Sequence, residues 1–306
     1  MIGNGRQVKM GTHGRTLMRG VAAAVVAVGI IAGGGAPASA ASHGTAPRRS
    51  VAVAPSGPAA SVGDLAHIWQ TYNNCGPASV AEVLSYWGVY RTQYQAQIVL
   101  RADNNPRGMW PYGVPGYARS VGVRALVGVA GTPRLVKALV SNGFPVIVNQ
   151  AYSVTDSARH YRPIQSYDDR QGVFVSSDPF GGAGYAITYA DFNKIWAVAN
   201  NRFIVLYPPS KALLLNATLA SAVWDRTRAY QGDLVKTEAR LRSGKAPTTS
   251  VAATRENFRS YSYLNLAWDD MELGRYTNAR AQLHQATAHG ANSIMVSWIA
   301  GEIPVR

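Results

Sequence analysis

Cysteine is almost missing from this chain: 306 residues contain one, Cys75. A single cysteine cannot close an internal disulfide, so the fold is not a disulfide scaffold, and the thiol is either free or an intermolecular link. Acidic residues are scarce as well, with 16 Asp and Glu against 30 Lys and Arg and a formal net charge of +14. The basic residues are scattered rather than gathered on one helix, and no zinc-ligand spacing accompanies them, which argues against a nucleic-acid binder. Basic charge without such clustering suits anionic partners of the cell-wall kind. His284 and His289 stand five apart and miss the i, i+4 spacing of a helical zinc pair, so neither a metal nor a cofactor is expected. Long apolar runs are also lacking. The longest, Val21 to Ala32, is too short to span a bilayer comfortably.

That run has a context of its own. Arg6, Lys9, Arg15 and Arg19 precede it, and Ala38-Ser39-Ala40 follows it. Positive residues, an apolar stretch and small residues in that order predict a secretory signal over 1–40, with an uncleaved anchor as the alternative. Its removal would leave about +10 on a secreted or cell-surface protein. Residues 41–63, rich in Ala, Pro, Ser and Gly, read as a flexible linker.

What remains has the composition of a folded protein, 47% hydrophobic and 15% charged. Val80, Val83, Leu84 and Trp87 repeat at helical spacing after Cys75, Pro77 fits the first turn, and Gly88 ends the helix. Thr92 to Arg101 is a second helix, and Thr132-Pro133 opens another that closes at Asn142-Gly143. Residues 103–116 read as a loop with Trp110 and Tyr112 exposed or lining a cleft, followed by a short helix from Tyr117. Strands are expected over Pro145 to Gln150, Arg159 to Tyr167, Gly172 to Ser177 and Arg202 to Tyr207, with a helix near Asp191 to Val198. This order predicts an α+β domain over 64–209. Pro208-Pro209 marks its end, and 210–306 read as all-helical. There, Leu266, Ala267, Gly274, Tyr276, Ala279 and Ala286 fall at tetratricopeptide-like positions in one unit, where an independent solenoid needs about three.

The chemistry starts from a lone thiol at a helix N-terminus, where the helix dipole favours thiolate. A nucleophilic cysteine needs a base and a group that orients it. His160 is the only histidine between residues 68 and 283 and lies near the start of a strand. Asp178 follows the next strand, so an antiparallel pair could bring the two together. Asp168 and Asp169 compete for the role but sit at the far end of the His160 strand. Gln70 can offer an amide donor to an oxyanion, and the Cys75 N–H a second.

Gln70 with Asn73-Asn74-Cys75-Gly76-Pro77-Ala78, His160 through Asp168, and Asp178-Pro179-Phe180-Gly181-Gly182 resemble the double-glycine-leader, bacteriocin-processing peptidases, and more closely their exported stand-alone relatives. The resemblance covers about residues 66–207. It implies a papain-like cysteine peptidase fold, with Cys75 as nucleophile, His160 as general base and acid, Asp178 as orienting residue and Gln70 as oxyanion donor. Ser166 stands where that family usually has Gly. No P-loop or membrane domain accompanies the motifs, so the family's transporter-linked substrates are not carried over. The function expected is hydrolysis of a peptide or protein substrate through an acyl-enzyme, with the C-terminal helices free to meet a protein partner. A catalytically silent binding module and an acyltransferase using the same triad are the alternatives.

Overall fold

A computed structural model describes residues 51–101, 108–156, 158–244 and 255–305. The expected signal over 1–40 lies outside these residues. Among them no helix is long and apolar enough to cross a membrane.

The centre of the molecule is a helix buried on every side. This helix, α1 (Cys75–Tyr86), has no exposed residue from Cys75 to Leu84. It packs against α2 (Gln93–Leu100) and against β4 (Arg159–Asp168) of the sheet. The chain leaves it through Gly88 at φ +75°, a left-handed turn that a side chain would strain. Thr92 then caps α2: its hydroxyl accepts from the Gln95 N–H while the Gln95 side chain accepts from the Thr92 N–H.

The sheet has seven strands in the order β2 (Arg124–Gly128), β7 (Phe203–Tyr207), β3 (Val146–Ala151), β4, β5 (Val173–Asp178) and β6 (Gly182–Thr188), with β1 (Ala59–Ser61) paired to β4 beyond the end of β3. Every pairing is antiparallel. Alternation along the strands sends Ile147, Ile204 and Leu206 into an apolar cluster with α1, and Val146, Val148, Phe203 and Val205 into a second cluster. Two helices of the second layer, α4 (Pro133–Ser141) and α5 (Tyr189–Ala197), pack on that other face. The α+β expectation therefore holds, as an antiparallel sheet with helices on both faces.

Several details differ from the expectation. Residues 59–61, inside the stretch read as linker, form β1, because β4 offers free backbone groups where β3 ends. The expectation did not include strands β2 and β6: β2 is short and begins with a charged residue, and β6 opens on Gly, Ala and Gly, which have weak strand preference. Helix α3 (Val114–Ser120) starts three residues earlier than expected, since Pro115 in a first turn costs no hydrogen bond. Tyr112 neither is exposed nor lines a cleft. It is 1% exposed, and its hydroxyl bonds Asn265 and Arg202. Trp110 is half-buried and stacks on Tyr261.

The C-terminal helices are α6 (Ala212–Ser221), α7 (Arg226–Ser243), α8 (Arg255–Glu272), α9 (Tyr276–Ala288) and α10 (Ser293–Glu302). Helices α8 and α9 form an antiparallel pair turned at Gly274, with Leu266, Ala267, Ala279 and Ala286 buried. Leu264, Trp268, Leu283 and Ile299 join the same cluster as Val80 and Leu84 of α1. The described residues form one compact unit.

Candidate active site

Cys75 is the first residue of α1, where the helix exposes unpaired N–H groups and the positive end of its dipole. A tight turn delivers it. The Asn74 N–H donates to the Thr71 carbonyl at 3.0 Å, and Asn73 takes φ +55°, a conformation asparagine tolerates. The buried Asn74 side chain then locks the turn: its Nδ2 donates to Thr71 Oγ1 at 2.7 Å and Gln97 Oε1 at 2.6 Å, and its Oδ1 accepts from Arg101 Nη1 at 2.9 Å. Gly76 is required by packing. A Cβ there would lie 2.5 Å from the Cβ of Met109.

The strands supply the rest. Antiparallel pairing sets the start of β4 beside the end of β5, and His160 Nε2 lies 2.8 Å from Asp178 Oδ1. The imidazole also interacts with the Cys75 thiol, as hydrogen-bond partner and as charge. All three side chains are buried, Cys75 to 8% exposure, His160 to 4% and Asp178 to 0%.

Asp178 is held from several sides. Its Oδ1 also accepts from the N–H groups of Phe180 and Gly181 at 2.9 Å each. Arg162, two residues along β4 from His160, places Nε 3.0 Å from Oδ2, in an ion pair off the line of a hydrogen bond. The Arg162 guanidinium lies between the rings of Tyr152 and Tyr185 and donates to the Tyr152 carbonyl at 2.8 Å. Burial alone would raise the Asp178 carboxyl. The hydrogen bond and charge of His160, then Arg162 and the Gly181 N–H, hold it at about 2 instead.

The same competition acts on the other two groups. Burial pushes the Cys75 thiol up, but the hydrogen bond and charge of His160 and the backbone of Tyr161 and Gly76 outweigh it, and the thiol lies below its ordinary range. Burial pushes His160 down, but hydrogen bonds to Asp178 and Cys75 and their charges hold it above its ordinary range. Both shifts favour thiolate beside imidazolium.

Gln70 lies next to this group. Its backbone N–H donates to the carbonyl of Pro179, the residue after Asp178, at 2.9 Å, and its side-chain Oε1 is enclosed without a hydrogen-bond partner. Asp168 and Asp169 are elsewhere. Asp168 closes the β4–β5 turn on the N–H groups of Arg170 and Gln171, and Asp169 pairs with Lys137 and Tyr189. His289 stacks on Tyr263 among the C-terminal helices. Among the described residues no group of three or more His, Cys, Asp and Glu side chains is placed to hold a metal ion.

Sequence reasoning missed Arg162 and Glu82. Strand alternation could have found the first, since 160 and 162 share a face. Helical spacing could have found the second, an acid two turns from Cys75 in an otherwise uncharged helix. Glu82 is fully buried, and Oε1 accepts from the Ile68 N–H at 2.8 Å. His67 Nδ1 lies 3.6 Å from that oxygen and 3.2 Å from Ser177 Oγ.

Residues 62–203 match the model of the Peptidase_C39 like family. No curated protein matches the chain. Among solved structures, the chain is similar to a double glycine motif protease from an AMS/PCAT transporter, determined in complex with the leader peptide, at 18% identity and a TM-score of 0.39, over 49% of this chain and 94% of that one. It is similar as well to the peptidase domain of Streptococcus ComA, a bi-functional ABC transporter involved in a quorum sensing pathway, at 19% identity and a TM-score of 0.39, over 47% of this chain and 98% of that one.

Proposed function

We propose, from the match of residues 62–203 to the model of the Peptidase_C39 like family, that this region is a working cysteine peptidase whose catalytic residues are Cys75, His160, Asp178 and Gln70. The observation that carries the reading is the buried chain of contacts from the Cys75 thiol through His160 to Asp178, with His160 Nε2 2.8 Å from the carboxylate. A chain of this kind costs desolvation at three positions, which a purely structural core would avoid.

The steps follow from the geometry. Thiolate attacks the carbonyl carbon of a peptide bond and a C–S bond forms. The carbonyl oxygen takes the negative charge and is met by the Cys75 N–H and the Gln70 amide. Imidazolium passes its proton to the leaving nitrogen, the C–N bond breaks, and an acyl-enzyme remains. His160, now neutral, removes a proton from water. The hydroxide attacks the thioester, the acid is released, and thiolate and imidazolium return. Asp178 keeps the Nε2–H directed at itself and so holds the orientation of the imidazole. The same acyl-enzyme could pass to an amine, which would make the protein an acyltransferase.

Export is part of the reading and rests on residues 1–40. The substrate is a peptide or protein outside the cell. The test is hydrolysis of a fluorogenic peptide library by the protein lacking residues 1–40. Cys75→Ala is expected to lower turnover at least about a thousandfold. Unchanged turnover would end the assignment of the nucleophile, and an inactive wild type with an unreactive thiol would favour a silent binding module.

A further inference from the structure

Between Gln70 and Cys75 the chain has no regular secondary structure, so no ladder of backbone hydrogen bonds fixes the distance between oxyanion donor and nucleophile. Besides the Gln70–Pro179 and Asn74–Thr71 backbone bonds, side chains hold this segment, and one helix supplies most of them. Gln93, Gln97 and Arg101 are spaced by four along α2 and its C-terminus, which puts them on one face. Arg101 Nη1 donates to the Tyr72 carbonyl at 3.2 Å and to Asn74 Oδ1 at 2.9 Å. Gln97 Oε1 accepts from Asn74 Nδ2.

Gln93 makes the most specific contact. Its Nε2 donates to the carbonyl of Trp69 at 2.8 Å, and its Oε1 accepts from the N–H of Thr71 at 2.9 Å and from Thr71 Oγ1 at 3.2 Å. The side-chain amide thus pairs with the residues on either side of Gln70, as a neighbouring strand would. It is 7% exposed and starts a helix held by a capping box, so the clamp stands on a fixed base. On the other side the segment is tied by Glu82 to the Ile68 N–H and by the Pro179 carbonyl to the Gln70 N–H.

We propose that Gln93 is a positioning residue for the oxyanion donor: it sets the backbone of residues 69–71, and so aims the Gln70 amide, without touching substrate. The inference rests on the peptidase reading above. It distinguishes two parts of the site, because the side chains of the thiolate–imidazolium pair stand on α1 and β4 with Asp178 on β5, and Gln93 reaches them only through Thr71 in the turn before Cys75.

The experiment uses the protein lacking residues 1–40, a fluorogenic peptide amide taken from the library screen, the matching peptide aldehyde, and iodoacetamide. The aldehyde adds to the thiol and develops charge on oxygen, as the substrate does, whereas alkylation by iodoacetamide forms no oxyanion. Gln93→Leu is expected to lower kcat about ten- to a hundredfold, less than the 10²–10³ for loss of an oxyanion donor itself. Aldehyde affinity should fall in parallel, while KM and the rate of Cys75 alkylation stay within about twofold. Gln93→Glu keeps the acceptor for Thr71 and loses the donor to Trp69, so it should fall between the two and covers the case in which the leucine variant does not fold. Unchanged kcat and aldehyde affinity in both variants would overturn the inference. So would a proportional fall in alkylation, which would mean that the whole site had collapsed. A wild-type protein that neither cleaves peptides nor binds the aldehyde overturns the peptidase reading and the inference together. A wild type that does both, with variants that match it, overturns the inference alone.

Discussion

At the scale of the residue, the site is a contest between burial and partners. Asp178, His160 and Cys75 all lose water, and for each of them a neighbour of suitable charge reverses the effect of that loss. Glu82 shows the opposite outcome. It faces Asp178 and Ser177 on β5 and His67 and the Ile68 N–H on the preceding segment, and with no cation beside it burial raises its carboxyl from 4.5 to about 8. His67, itself pushed down by burial, does not supply the missing charge. At neutral pH the folded protein therefore holds Glu82 protonated, while the unfolded chain ionises it. Its contribution to stability is greatest below the unfolded pKa and is lost as pH rises toward about 8. Glu82→Gln keeps an acceptor for the Ile68 N–H and does not titrate. The variant should gain on the wild type across that window, reaching roughly 2–4 kcal/mol at pH 8. Urea unfolding of both proteins at pH 4.5 and pH 8 checks this, and a difference that does not change with pH would show that folding leaves the Glu82 pKa where it is in the unfolded chain.

At the scale of the element, α1 and the β4–β5 pair were legible because their signals are local. Apolar spacing marked the helix, Pro77 and Gly88 marked its ends, and two alternating strands separated by a polar turn implied that His160 and Asp178 share a sheet edge. The elements that escaped have no such signal. β2 is five residues long and owes its place to pairing with β7, which lies 75 residues or more away in sequence. β6 carries few β-branched residues and is held by β5. Tyr112 was misplaced for the same reason, since a loop composition gives no hint that Asn265 and Arg202 will enclose its hydroxyl. The polar face of α2 could be seen in the spacing of 93, 97 and 101, yet only the folded turn shows what it holds. The requirement at Gly76 is also tertiary, because Met109 is the atom group that fills the space.

At the scale of the molecule, the helices after residue 209 are part of the same core as the site. Besides the shared apolar cluster, a buried polar network crosses between them. Arg202, just before β7, donates to the Tyr112 hydroxyl and to Asn265 Oδ1 at 3.2 Å each and lies 3.5 Å from Asp233 on α7. Asp269 on α8 is buried nearby and held well above the ordinary carboxyl range, first by burial and then by Asp233. Arg202→Met would leave Asp233 without its cation and should cost about 3–5 kcal/mol, read by denaturant unfolding. A loss below about 1 kcal/mol would mean that the helices are docked by apolar contact alone. Such a core is what allows one buried thiol to be tuned by groups from a helix and two strands, and that tuning is the centre of the account. It is tested most directly by the pH dependence of Cys75 alkylation with iodoacetamide, in the wild type and in His160→Ala. The wild-type thiol should react with an apparent pKa below the ordinary thiol range of about 8.5, and in the variant the profile should move to that range or above it. Identical profiles in the two proteins would contradict the account.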